Sequence, residues 1–415
     1  MGWLLAALSG SLAGFTYPTV FSGIKIPDLG WMAFFAWVPL FLALRRATPF
    51  QAFAKGFFAS FFHCGISMYW IYTAMHSFGG LSPGLAVTAL VVLFVVLSAY
   101  FGMLFGLSQW ICKKLGWSPC WVRPWVWVGI EFLRGHLPAG GFPWSQIAYS
   151  QGGFLTFIQV SDLFGVYAVT WLLVFSNEVL ALLWLRRKEA RASAWKPAAF
   201  AAGLLLANLA YGVFRLHQAA PESSTLKVGI VQGNIPQDEK WLRSAMRKII
   251  EIYRRGTAGL EAQGATLVIW PEAAWPVELQ YDAEEVPYDL GLNQADLLFG
   301  AVTASKHRDP LGPDIVFNTA LLADAEGRLL DHYHKRHLVP FGEYVPWKKY
   351  LFFARKMTAE VGDLQPGLEY RPISYRGAPL GVLICYEDIF PEISRLMTAR
   401  GARALVDITN DAWYG

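Results

Sequence analysis

A membrane-bound helical bundle joined to an α/β layered domain is the architecture that this 415-residue sequence predicts. Three observations predict it. The chain is 54% hydrophobic and only 16% charged, whereas a soluble domain carries about 25% charged residues. The deficit is uneven: no Lys, Arg, Asp or Glu occurs between Gly56 and Cys112, yet charges run throughout the sequence after Leu226. In that second part, short apolar runs alternate with amphipathic stretches. The sequence therefore divides into a transmembrane helical domain, residues 1–214, and an α/β domain, residues 215–415, whose length suits one domain. A net charge of +4 makes no case for a nucleic-acid partner, because the basic residues cluster at the ends of apolar segments.

A bilayer-spanning helix needs about 20 apolar residues. Seven stretches are candidates: 3–20, 29–44, 50–75, 85–112, 120–132, 163–185 and 198–214. The start does not read as a signal peptide, since no basic residue precedes the first run and six more runs follow. Lys and Arg gather on one side. Arg45 and Arg46 follow the second stretch, Lys113 and Lys114 the fourth, and Arg186, Arg187, Lys188 and Arg191 the sixth. The opposite turns carry only Lys25 and Arg134. The N-terminus is thus expected in the cytoplasm and the second domain outside, in the periplasm if the membrane is a bacterial inner membrane.

Within the apolar part, Glu131 and Arg134 lie three apart, and a helix puts them on one face as an expected ion pair. Glu178 beside Asn177 sits mid-segment, where a charge is costly; helix–helix hydrogen bonding and substrate binding both remain open for it. Gly140-Gly141-Phe142-Pro143-Trp144 reads as an outer loop able to dip into the interface. Cys64, Cys112 and Cys120 read as small buried hydrophobes.

In the second part, 226–231 reads as a strand and 238–262 as an amphipathic helix, with Trp241, Met246, Ile249, Ile250 and Tyr253 at helical spacing. Strands follow at 266–270 and 297–302. A hairpin joins 318–323 to 329–334 through Glu326-Gly327. A strand at 380–384, a helix at 391–400 and a strand at 404–409 complete the domain. Short, fully apolar strands imply a sheet covered on both faces. The final residues follow a core strand directly, so the sequence is expected to be incomplete at its C-terminus.

Three of these runs end in chemistry. Leu267-Val268-Ile269-Trp270-Pro271 delivers Glu272; the strand ending at His334 delivers Lys335; Leu380-Gly381-Val382-Leu383-Ile384 delivers Cys385. A thiol attacks an acyl carbon only as thiolate, so it needs a base or a lowered pKa. Glu272 is the candidate base, its carboxyl to be tuned by the apolar Trp270, Ala273 and Trp275. Lys335 can hold a thiolate and then an oxyanion. Glu343 and Glu387 are candidates to orient Lys335 or help the proton move. Each feature has an ordinary reading too: a core cysteine, a helix cap at Glu272, a solvated turn at His334-Lys335-Arg336-His337. The toolkit needs neither metal nor cofactor, and no cysteine or carboxylate spacing accompanies His334 and His337 as metal ligands would require.

Trp270-Pro271-Glu272, Lys335 before Phe341-Gly342-Glu343-Tyr344, and Cys385-Tyr386-Glu387-Asp388 resemble the three motif blocks of the nitrilase superfamily, in that chain order. Val231-Gln232-Gly233-Asn234-Ile235-Pro236, Gly342-Glu343-Tyr344-Val345-Pro346 and the Gly141-Phe142-Pro143-Trp144 loop, behind a run of membrane helices, resemble its membrane-embedded branch. The resemblance implies a nitrilase-like αββα sandwich on the periplasmic side. It implies Glu272 as general base, Lys335 as oxyanion stabiliser and Cys385 as nucleophile, with Glu343 a further active-site glutamate. Trp241, Tyr386 and Glu387 match positions tied to activity. It also implies transfer of a fatty acyl group from a phospholipid, phosphatidylethanolamine above others, to the N-terminal amine of a lipidated apolipoprotein, by way of a thioester. A lid excluding water from that thioester is expected at 347–356. The rival readings are a membrane-tethered amidase passing the acyl group to water, and a transporter or scaffold that only binds.

Overall fold

The computed structural model describes residues 1–18, 20–21, 24–25, 27–186, 195–218, 225–305, 315–347 and 364–414. The chain forms two compact units. The first comprises Met1–Tyr72 and Pro83–Pro221, the second Thr73–Ser82 and Glu222–Gly415.

The first unit is helical: α1 Gly2–Gly14, α2 Val38–Leu44, α3 Pro49–Ser67, α4 Pro83–Leu115, α5 Pro119–His136, α6 Val166–Arg186 and α7 Trp195–His217. Thr48 and Gln51 start α3 with reciprocal side-chain to backbone bonds of 3.2 and 3.1 Å, and Pro49 fills its first turn, where no N–H is missed. α1 lies so close to α3 that a Cβ at Gly10 would sit 1.9 Å from the Ala59 carbonyl oxygen. The core centres on Trp37, which stacks on Phe101 at 5.6 Å and meets Trp127 edge-on at 5.0 Å.

Among the described residues three helices, α4, α6 and α7, are long and apolar enough to cross a membrane. The other four candidate stretches form shorter or more polar helices. Stretch 3–20 is helical only over the 13 residues of α1, and 29–44 breaks into a 3-10 turn and the seven-residue α2. α5 carries Arg123, Pro124, Glu131 and Arg134 along its length.

Those polar groups hold the bundle together. Arg123 of α5 pairs with Glu178 of α6, both buried, so Glu178 makes a helix–helix contact. The expected pair of Glu131 with Arg134 does not form: no ion pair within 4 Å joins them among the described residues. Glu131 instead accepts hydrogen bonds from Trp127 Nε1 (3.1 Å), Ile147 N (3.0 Å) and Thr170 Oγ1 (2.8 Å). Three donors, Trp127 on the same helix and Ile147 and Thr170 beyond it, satisfy the buried carboxylate more fully than one cation would. The loop after α5 places Trp144 against Trp70 at 5.0 Å.

The second unit is α/β. Its larger sheet runs β1 Val228–Ile230, β2 Leu267–Ile269, β4 Asp296–Ser305, β5 Ile315–Ala323 and β6 Leu329–His334, in that spatial order. β3, Leu279–Gln280, pairs with β4 beyond the end of β2. The β1, β2 and β4 pairings are parallel, and β4, β5 and β6 form an antiparallel meander. A smaller parallel sheet pairs β7, Leu380–Ile384, with β8, Ala404–Ile408. The helices are α8, Met246–Glu261, and α9, Pro391–Ala399. Trp270 anchors the core, stacked on Tyr253 at 4.9 Å and donating from Nε1 to Thr257 Oγ1 at 2.9 Å.

One sequence-based helix is shortened. Stretch 238–262 is helical only from Met246, and 237–245 steps through i to i+3 turns such as Leu242 N to Glu239 O and Ala245 N to Leu242 O. The reason is inward burial of Lys240, while Trp241 and Leu242 face out. A regular amphipathic helix with Trp241 on its apolar face would reverse that order.

Candidate active site

Three interruptions of regular structure present the chemistry. β2 pairs with the first part of β4 and β3 with its end. Between them the chain leaves the sheet at Pro271, which has no N–H to pair, and Glu272 projects from the gap. Gly300 of β4 makes the gap possible. A Cβ there would lie 2.5 Å from Ala273 N and 2.7 Å from Glu272 Cα. Lys335 follows β6 and stays tied to β5 through its N–H to Asn318 O at 2.8 Å. Cys385 ends β7 with a φ of +53° and opens a 3-10 turn over Cys385–Ile389. A left-handed backbone at a non-glycine residue is costly and lifts a side chain out of the strand.

Glu272, Lys335 and Glu343 are all buried. Lys335 Nζ lies 2.9 Å from Glu343 Oε1 and 3.7 Å from Glu272 Oε1. Asn318 Nδ2 bridges the same two carboxylates at 2.8 and 3.1 Å. The second oxygens are held by backbone: Asn410 N donates to Glu272 Oε2 at 3.1 Å, and Val339 N to Glu343 Oε2 at 2.8 Å. Burial works against the Lys335 charge, but Glu343, Glu272 and Cys385 outweigh it and hold the ammonium well above its ordinary range.

Cys385 lies in the same field. Burial first, and then the Glu272 charge, push its thiol up to about 12, while Lys335 and a hydrogen bond with Thr409 pull it down. The sulfur therefore rests as a thiol. Of the two routes open to the sequence, a low pKa or a neighbouring base, this geometry suits the base. The assembled groups can accept a thiol proton, hold an oxyanion and keep a part-buried sulfur just past the end of a strand.

Glu387 is fully buried and accepts from Tyr333 Oη (2.9 Å), Arg336 N (2.9 Å), His337 N (3.0 Å) and Ile384 N (3.0 Å). It ties the end of β7 to the segment carrying Lys335, so it acts on the site through backbone. Tyr386 is buried edge-on against Phe390 at 5.1 Å. His337 packs on Phe390 at 3.9 Å, and burial together with the Lys335 charge lowers it to about 4, so it stays neutral. Trp241 is 50% exposed and is not drawn into the cluster. Of the expected lid only Trp347 is described, and it is exposed; residues 348–356 lie outside the described residues.

Sequence reasoning missed Lys240, Asn318, Thr409 and Asn410. Asn318 did carry a signal, as a polar residue inside the largely apolar run of β5. Lys240 and Asn410 carried none, because both sit in irregular chain that periodicity does not read.

Residues 9–179 match the family model described as the apolipoprotein N-acyltransferase N-terminal domain, and residues 227–415 match the model described as carbon-nitrogen hydrolase. An apolipoprotein N-acyltransferase of Geobacter metallireducens is 36% identical, over 100% of this chain and 78% of its own. Those of Methylococcus capsulatus and Nitrosomonas europaea are 32% and 30% identical, over 91% and 99% of this chain and 72% and 78% of theirs. Among solved structures, an amidase from Nesterenkonia sp. is 22% identical over 46% of this chain and 67% of its own, with a TM-score of 0.30.

Proposed function

We propose that this chain, which belongs to the apolipoprotein N-acyltransferase family, moves a fatty acyl group from a membrane phospholipid to the free α-amine of a lipoprotein's lipidated N-terminal cysteine. The acyl group travels as a thioester on Cys385. Glu272 takes the Cys385 proton as sulfur attacks the ester carbonyl, and Lys335 faces the oxyanion that forms. When the C–O bond breaks, the departing glycerol oxygen takes the proton from Glu272 and leaves as lysophospholipid. The acceptor amine then attacks the thioester, gives its proton to Glu272, and the thiolate leaves and is reprotonated. Glu343 and Asn318 keep Lys335 and Glu272 at their spacing through both halves.

The observation that carries this reading is the Lys335 ammonium, buried and shared between Glu272 and Glu343, in the electrostatic field of Cys385. Phosphatidylethanolamine is the proposed donor. The charge asymmetry of the loops supports a periplasmic second unit at an inner membrane, the side on which this reading puts both substrates.

Intact-mass spectrometry after incubation with phosphatidylethanolamine tests it. The expected result is one acyl mass on Cys385, absent from Cys385→Ser, stable to water and discharged by a lipopeptide amine. A folded protein that takes up no acyl group refutes the transfer reading. An adduct discharged by water alone favours the amidase.

A further inference from the structure

Lys240 lies outside the group that the mechanism uses. It is 6% exposed, and its ammonium donates to the Glu272 main-chain oxygen at 3.0 Å. Among the described residues no carboxylate lies within ion-pair distance of it. Its charge and those of Glu272 and Cys385 act on one another, and burial lowers it to about 8 against their pull. An apolar side chain of similar volume would fill this space without desolvating an ammonium. The surrounding contacts point the same way. Gln237, three residues earlier, accepts from Asn410 Nδ2 at 2.8 Å, and the Asn410 N–H holds Glu272 Oε2. The irregular segment 237–245 therefore grips the Glu272 turn twice, once through Lys240 and once through Gln237 by way of Asn410.

The charge count gives the second half of the argument. Glu272 and Glu343 bring two negative charges and Lys335 one positive charge. When Glu272 takes the thiol proton, the new thiolate restores the negative total beside Cys385. Lys240 is the further cation available to it.

We infer that Lys240 is a positioning residue for the acylation step: its ammonium clamps the main-chain carbonyl of Glu272, fixing where the carboxylate is aimed, and its charge steadies the Cys385 thiolate as it forms. This rests on the acyl-transfer reading above for its purpose, but not for its test. Two readouts are taken on full-length protein, the pH profile of Cys385 alkylation by iodoacetamide and the rate of acyl-enzyme formation with phosphatidylethanolamine micelles. Lys240→Met is expected to move the alkylation profile up by about one pH unit and to slow acyl-enzyme formation roughly tenfold or more. Lys240→Arg, which keeps charge and donor, is expected to restore the profile. The unsubstituted protein gives an independent reading should Lys240→Met not fold: its alkylation rate should rise less than tenfold per pH unit once Lys240 loses its proton. A Lys240→Met profile and rate that overlay those of the parent, or a strictly tenfold rise per pH unit from 7 to 10 in the parent, overturns the inference. If the alkylation shift appears in a protein that takes no acyl group, the transfer reading fails and the clamp stands.

Discussion

Cys385 directly follows an apolar strand, Leu380–Ile384, and its φ of +53° turns it away from that strand. A thiol pushed up to about 12 by burial and by Glu272 is almost wholly protonated at neutral pH. Its reactivity is therefore borrowed from Glu272 at the moment of attack. Glu272→Gln separates the two effects of that carboxylate. Losing the charge lowers the thiol pKa, so alkylation by iodoacetamide at pH 8 is expected to quicken. Losing the base is expected to slow acyl transfer by roughly 10²–10⁴-fold. An acyl-transfer rate that Glu272→Gln leaves unchanged would show that Glu272 is no base toward Cys385. Glu272, Lys335 and Cys385 were legible as candidates because each ends an apolar run, a pattern that local sequence displays. Lys240 was not, since assigning 238–262 to a helix with Trp241 on its apolar face put the neighbouring lysine in solvent.

The elements that aim these groups are defined by where they stop. β2 is three residues long, and the gap before β3 exists because Gly300 leaves room for the Glu272 turn. Gly300→Ala is expected to push that turn outward, costing about 1–3 kcal/mol of stability and most of the acyl-transfer rate; a fully active, equally stable variant would show the gap to be slack. No sequence pattern announces this, because the consequence of one missing Cβ depends on the distant turn at Pro271, Glu272 and Ala273. The polar helix contacts were half legible. Glu131 and Arg134 sit at helical spacing, yet Glu131 turns to Trp127 one turn back on its own helix and to Ile147 and Thr170 beyond it, and local spacing does not count those last two. Glu178 finds Arg123 on the neighbouring helix. Replacing either one by Leu strands a buried charge and is expected to cost about 3–5 kcal/mol, while Arg123→Leu with Glu178→Leu together recovers most of it. Thermal unfolding in detergent measures this, and additive losses would mean that the two charges are not coupled.

At the scale of the whole molecule, charge distribution was the most legible property, since solvent chemistry writes itself into composition over hundreds of residues. Helix length was less so. Seven apolar stretches were counted by composition, but three of the described helices are long and apolar enough to cross a bilayer. Helices such as α5, studded with Arg123, Glu131 and Arg134, look apolar in a window yet spend Arg123 on Glu178 of α6 and Glu131 on Ile147 and Thr170. Orientation rests on loop charge alone, and so it can be tested alone. Alkaline phosphatase is active only once exported, so fusions after Gln218 and after Arg186 should differ. The first is expected to be active, following a helix that leads outward, and the second inactive, following one that ends among Arg186, Arg187 and Lys188. Replacing those basic residues with Gln should weaken the contrast. The reverse pattern, activity after Arg186 and none after Gln218, would put Cys385 on the cytoplasmic side, away from lipoproteins presented at the outer face, and the acceptor proposed for its thioester would have to change.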